Sequence, residues 1–206
     1  MLSPHRGTAV RAATKRLREL GSALLNARQA LSGSQRLGRG TVDVAILFTD
    51  LVGFSSWALN AGDEAALELL RQVGDVEHNA VSERDGMLVK RLGDGSMAVF
   101  SNPERAVQAA FETQQRLAEI RVEGHMPELR AGVHVGRPRQ VRDDYIGVDV
   151  NIASRIADAA KPGEVLVSEN ARESLDPMRF TFGRKRRLRA PGAPGELVIC
   201  PIRADE

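Results

Sequence analysis

Cysteine, tryptophan and tyrosine each occur once in these 206 residues, and aromatic residues make up only 4% of the chain. The lone Cys200 excludes an intrachain disulfide, so nothing calls for an oxidising compartment, and it reads as a small buried hydrophobe. Long apolar runs are missing too. No stretch approaches the ~18 apolar residues of a membrane-spanning helix, and the N-terminal region lacks the apolar block and cleavage site of a secretory signal. The expected location is the reduced cytoplasm, for the chain alone or as the cytoplasmic part of a larger or membrane-associated protein. Hydrophobic residues nevertheless reach 42% and glycines number 19, enough for one core of ordinary domain size.

The net charge of +2 hides an asymmetry. Residues 1 to 40 hold eight Lys or Arg against the single acid Glu19, which leaves 21 basic and 26 acidic residues for 41 to 206. The boundary falls in SGSQRLGRG, a Gly- and Ser-rich stretch that reads as a linker. Ahead of it Val10, Leu17, Leu24 and Leu31 recur every seven residues, each followed three positions later by Ala13, Leu20 or Ala27 within the first three heptads. This is an a/d seam suited to a two-helix contact, interrupted by Gly21; an amphipathic arm without a partner is the alternative. The arm interleaves no aromatics with its basic residues, so nucleic acid is not an expected partner. Two domains result: a basic N-terminal helical arm with linker over 1–40 and a globular domain over 41–206.

Beyond the linker the apolar periods alternate. VDVAILF (42–48) is a β-rich run, EAALELLRQVGDVEHNAVSE repeats at helical spacing, and DGMLVKRLGDGSMAVF gives two strands around Gly93, Asp94 and Gly95. Asn102 and Pro103 open the next helix, ELRAGVHVG is a strand, VDVNIASRIADAA a helix stopped by Lys161, Pro162 and Gly163, and EVLVS a strand. The order β, α, β, β, α, β, α, β predicts an α/β (α+β) fold of ferredoxin-like type, an antiparallel-containing sheet with helices on one face, preceded by an N-terminal helix.

Two acids interrupt this pattern. Asp50 ends an apolar strand, where a helix N-cap would be the plainest role, and Asp94 sits in a Gly-Asp-Gly turn, ordinary turn chemistry. In a ferredoxin-like sheet, however, the first strand and this hairpin are neighbours, so the two carboxylates face one point. Like charges placed so invite a divalent cation. A helix after Asp50 would add amides around Val52, Gly53 and Phe54 suited to phosphate oxygens.

FTDLVGF, KRLGDGSMAVF, AGVHVG and DDYIGVDVNIASR, in this order, resemble the catalytic domain of class III nucleotidyl cyclases, the adenylate and guanylate cyclase family, most closely a bacterial adenylate cyclase. The likeness runs from about Val42 to the C-terminus. It implies formation of a cyclic nucleotide from a nucleoside triphosphate with two Mg²⁺ or Mn²⁺ ions, at sites formed between two subunits of a homodimer. On this resemblance Asp50 and Asp94 are metal ligands, joined by the carbonyl of Leu51. Asn151 and Arg155, one helical turn apart, correspond to the pair that orients the ribose and bonds the α-phosphate. Lys90 and Asp144 stand where the family reads the purine; an ammonium and a carboxylate complement adenine N1 and N6, so ATP is the expected substrate. Asp143 is the alternative to Asp144. In the tail FGRKRRLRAPGAPGELVIC, Arg189 is expected on the triphosphate, with Arg187 as competitor.

The sequence departs from the family in one place. Only ten residues, Arg137 to Ile146, separate AGVHVG from Gly147, so the dimerisation arm of many relatives would be short here. Dimer contact would then lean on the N-terminal helix, through which an upstream sensor or regulatory region would act. His78, His125 and His134 have neither metal-ligand spacing nor a nucleophile partner and read as packing or surface residues, while Phe54 and Trp57 read as core. Two other classes remain open: a catalytically silent cyclase-like nucleotide-binding module, and a basic-arm interaction protein whose globular part merely dimerises.

Overall fold

Ala45 to Phe48 are all buried, so this strand cannot alternate between core and solvent; it lies in a sheet covered on both faces. The computed structural model describes residues 40–191 and 194–204. The heptad seam and the N-terminal helix expected ahead of Gly40 lie outside the described residues. β1 (Val44–Leu51) leads into α1 (Phe54–Ala61), α2 (Asp63–Glu83), the hairpin of β2 (Met87–Leu92) and β3 (Gly95–Phe100), and α3 (Pro103–Leu117). Then come β4 (Leu129–Gly136), a small hairpin of β5 (Arg139–Val141) and β6 (Asp144–Ile146), and α4 (Val148–Asp158). β7 (Val165–Ser168), α5 (Glu169–Glu173), β8 (Phe180–Phe182), β9 (Arg186–Arg187) and β10 (Val198–Ala204) complete the described chain.

The main sheet runs β2-β3-β1-β4-β7-β10-β8, with β9 also beside β10. Its pairings are antiparallel except that of β4 with β7, which is parallel. The expected class therefore holds: an antiparallel-rich sheet with helices packed on it. The expectation that the helices share one face does not. Ala45 and Leu47 of β1 meet Leu69 and Val73 of α2 and Val107 and Ala110 of α3, whereas Ile46 and Phe48 meet Val150, Ala153 and Ala157 of α4 on the other side. A strand that is apolar at every position demands this second cover. Phe54 and Trp57, read as core, are half-buried: they pack against its edge, and Trp57 stacks on His125 with centroids 4.7 Å apart.

Two local devices hold α4 in place. His134 on β4 contacts Ser168 Oγ at 2.8 Å through Nδ1 and Asp149 Oδ1 at 3.3 Å through Nε2, all three buried, and the Arg137 amide donates to the other Asp149 oxygen at 3.0 Å. His134 is thus a packing residue that fixes the start of the helix. Further along, Gly132 lets the helix backbone approach β4 so closely that a Cβ there would lie 2.3 Å from the Ala157 nitrogen. The clash is with backbone, so Gly132→Ala should cost about 1–3 kcal/mol. Thermal unfolding should show a lowered Tm; an unchanged Tm would mean that the helix does not bear on the sheet at this point.

Candidate active site

β1 carries Asp50 to the end of the central strand without using it as a cap. The strand continues to Leu51, and α1 begins after Gly53, which caps it without a side chain. On one side Asp50 faces Gly95 of β3 in register, and on the other it faces Arg130 of β4. The turn between β2 and β3 is the two residues Gly93 and Asp94; Gly93 takes φ 78°, which needs no Cβ and sets Asp94 beside Asp50. The two acids predicted to converge are thus brought together.

Their electrostatics record the closeness. Burial, and then the charge of Asp50, push the Asp94 carboxyl up to about 6, against the weaker opposing pull of Arg130. Such a pair fits a divalent cation, whose charge would favour the ionised form of Asp94. Among the described residues no cluster of three or more His, Cys, Asp or Glu side chains gathers. The sphere of a bound ion would therefore be completed by water, a backbone carbonyl or phosphate oxygens, which suits Mg²⁺.

Arg130 was not singled out in the sequence, though a charge inside the apolar strand LRAGVHV was the available signal. Its Nε and Nη2 donate to Asp50 Oδ2 at 2.8 and 2.5 Å, and its Nη1 donates to the Asp158 carbonyl at 2.9 Å. It ties the end of β1 to the end of α4. On that helix Arg155 Nη1 donates to Asp158 Oδ2 at 3.0 Å, and Asn151 is half-buried one turn earlier. Lys90 on β2 donates to both oxygens of Asp144 on β6, at 2.6 and 2.7 Å. Asp143 instead lies exposed in the β5–β6 turn, so of the two acids it is Asp144 that joins Lys90.

Not every expected residue arrives. The Val52 amide donates to the Glu128 carbonyl at 2.8 Å, which corrects its reading as a phosphate donor: the chain crosses β4's approach there and spends that N–H on it. Gly53 and Phe54 stand at the start of α1, as expected. Arg189 is exposed just beyond β9, and β9 lies four strands along the sheet from β1.

A sheet of this topology that sets two acids where a helix begins fits a nucleotidyl cyclase. The chain belongs to the adenylate and guanylate cyclase catalytic domain family, whose model matches residues 39–200. A pH-sensitive adenylate cyclase of Mycobacterium tuberculosis is 30% identical over 186 residues, covering 87% of this chain and 45% of that protein. The chain thus spans less than half the length of this curated relative. Among solved structures, the catalytic core of a rhodopsin-guanylyl cyclase with converted specificity, in complex with ATPαS, superposes with a TM-score of 0.71 at 18% identity, covering 79% of this chain and 96% of that one. The adenylyl cyclase CyaB from P. aeruginosa does so at 0.67 and 20%, covering 80% and 95%. Adenylyl and guanylyl cyclases share the fold, so the fold leaves the purine undecided. No helix among the described residues is long and apolar enough to cross a membrane.

The raised Asp94 pKa has a consequence for stability. A carboxyl held above its ordinary 3.8 in the folded state binds protons more tightly there than in the unfolded chain, so metal-free stability falls as pH rises from 3.8 to about 6 and stays lowered above that. Asp94→Asn should therefore raise the Tm in chelator at neutral pH, with the gain shrinking as pH is lowered through about 6. Mn²⁺ should raise the Tm of wild type more than that of the variant. A gain independent of pH would mean that charge is not the cause.

Proposed function

We propose that the chain is an adenylate cyclase that converts ATP to 3′,5′-cyclic AMP and pyrophosphate, in the cytoplasm, at sites shared between two subunits of a homodimer. The observation that carries the choice of ATP is the Lys90–Asp144 pair, which presents a donor and an acceptor side by side on the α4 face of the sheet. Both side chains are partly exposed, so their mutual bond costs little to exchange for adenine N1 and N6. Guanine offers the reverse pattern and would leave both charges unmatched.

Asp50, Asp94 and the Leu51 carbonyl would hold the two cations. When bound, these ions would lower the pKa of the ribose 3′-hydroxyl and neutralise the triphosphate. Gly53 and Phe54 at the start of α1 would steady phosphate oxygens through backbone N–H groups. Arg130, displaced from Asp50, would become a cation beside the triphosphate. Asn151 would orient the ribose while Arg155 bonds the α-phosphate oxygens as the 3′-oxygen–phosphorus bond forms and the bond to pyrophosphate breaks. Arg189, distant within one chain, would reach the triphosphate only across the dimer. The N-terminal arm would relay an upstream signal by setting the angle between catalytic domains.

Two experiments test this. Asp50→Ala should abolish cyclic AMP formation, Arg155→Ala should lower kcat by ~100-fold or more with little change in KM, and mixing the two inactive proteins should restore activity through one intact site per heterodimer. Subunit exchange without recovery would place the whole site within one chain. Separately, kcat/KM for ATP should exceed that for GTP by a large ratio, and Lys90→Glu with Asp144→Cys should erase most ATP turnover, while Asp143→Ala leaves the preference intact. Equal use of GTP by wild type would overturn the adenine reading.

A further inference from the structure

Helix α2 lays an apolar stripe on the sheet through Leu69, Val73, Ala80 and Val81, and in the midst of that stripe stands Glu77, only 4% exposed. A carboxyl in such a place is costly unless its hydrogen bonds are met. Its partners come from three strands. Thr49 on β1 donates to Glu77 Oε1 at 2.5 Å, Ser96 on β3 donates to the same oxygen at 3.0 Å, and the two hydroxyl oxygens lie 2.7 Å apart. Arg91 on β2 approaches Oε2 at 3.5 Å, its guanidinium lying over Gly74, where any Cβ would collide with it.

The three oxygens close a ring of contacts beneath the sheet. Burial raises the pKa of Glu77, against the hydrogen bonds from Thr49 and Ser96 and the charge of Arg91.

Its position gives it a task. Thr49 and Ser96 are register partners, the next pair along is Asp50 and Gly95, and Asp94 follows in the turn. Because successive side chains alternate, the ring lies on the α2 face while Asp50 points to the α4 face of the same strand end. We infer that Glu77 is a positioning residue for the cation site: by joining Thr49 and Ser96 beneath the sheet, it fixes the spacing of the strand ends that carry Asp50 and Asp94 and thereby sets their affinity for divalent cations. The inference rests on the cyclase reading above, because it concerns the metal acids of that site. Glu77 acts through β1 and β3 and makes no contact with substrate.

The test uses the full chain with Mn²⁺ titrated in the presence of 3′-deoxy-ATP, which lacks the attacking hydroxyl, so that binding is read without turnover. Glu77→Leu should raise the Mn²⁺ half-saturation by ~10-fold or more, the range for groups that orient metal ligands. Glu77→Gln, which keeps the shape of the carboxyl and its hydrogen-bonding oxygen, should stay within about twofold by the same measure. Thr49→Val removes one member of the ring without changing the shape of β1 and should weaken Mn²⁺ in the same direction, which keeps the inference testable if Glu77→Leu does not fold. A merely structural role would lower the Tm and leave the Mn²⁺ half-saturation alone. If wild type cyclises ATP and the Glu77 and Thr49 variants bind Mn²⁺ as it does, this inference fails and the cyclase reading stands. If wild type neither cyclises ATP nor binds Mn²⁺, both fall.

Discussion

Asp50 and Asp94 are brought together by backbone geometry against their own charge. The ladder sets Asp50 opposite Gly95, the tight turn sets Asp94 next to it, and partial burial strengthens the repulsion that follows. Hydrogen bonds of the two strands and the packing of both sheet faces must hold this arrangement. It is a strained juxtaposition of the kind that persists only where the surroundings over-determine it, and it concentrates negative charge where the positive end of α1 begins. The remaining features of the site, Arg130 included, answer to that concentration.

Strand parity divides the labour. From β1 the residues Ala45, Leu47, Thr49 and Leu51 face α2 and α3, while Ile46, Phe48 and Asp50 face α4. One face thus carries apolar packing that ends in a ring of two hydroxyls and a carboxyl. The other carries apolar packing that ends in charge. A one-residue slip of β1 would exchange the two, burying Asp50 under α2 and exposing Thr49 at the site, so in a strand apolar on both faces it is these two polar residues that guard the register.

How much of this could be read from the sequence depended on range. Elements were legible where local chemistry decides them: Asn102 accepts from the Glu104 amide with Pro103 in the first turn, and Gly93 takes the positive φ of the turn at Asp94. The convergence of Asp50 and Asp94 was legible because only a few ways exist to place a hairpin beside a first strand. Arg130 was missed because its importance lies in being opposite Asp50 across eighty residues, which no local pattern records. Glu77 was missed for a different reason. It sits at an apolar position of a helical repeat, and its partners Thr49 and Ser96 belong to other strands. The cover of α4 on the second face is written in the unbroken run AILF, which does not alternate, whereas the order of elements alone does not distinguish one covered face from two. Val52 was misread because a loop amide at a helix start looks available until tertiary structure supplies Glu128.

The charged groups of the site meet one another before any substrate is considered. Arg130 holds Asp50, Lys90 holds Asp144, and Arg155 holds Asp158. Each pair is partly exposed, so each contributes little to stability and is cheap to part. Their value lies in preorganisation: a guanidinium already fixed by a carboxylate loses less freedom when it turns to a phosphate than one that waved in solvent. On the proposed reading, nucleotide and cations would then exchange partners rather than create charge contacts from nothing. Ground-state binding gains little from such an exchange, because one ion pair replaces another. A transition state that gathers extra negative charge on the phosphoryl oxygens gains more, since no internal carboxylate matches it, and a site built on borrowed pairs therefore favours the reacting state over the bound one.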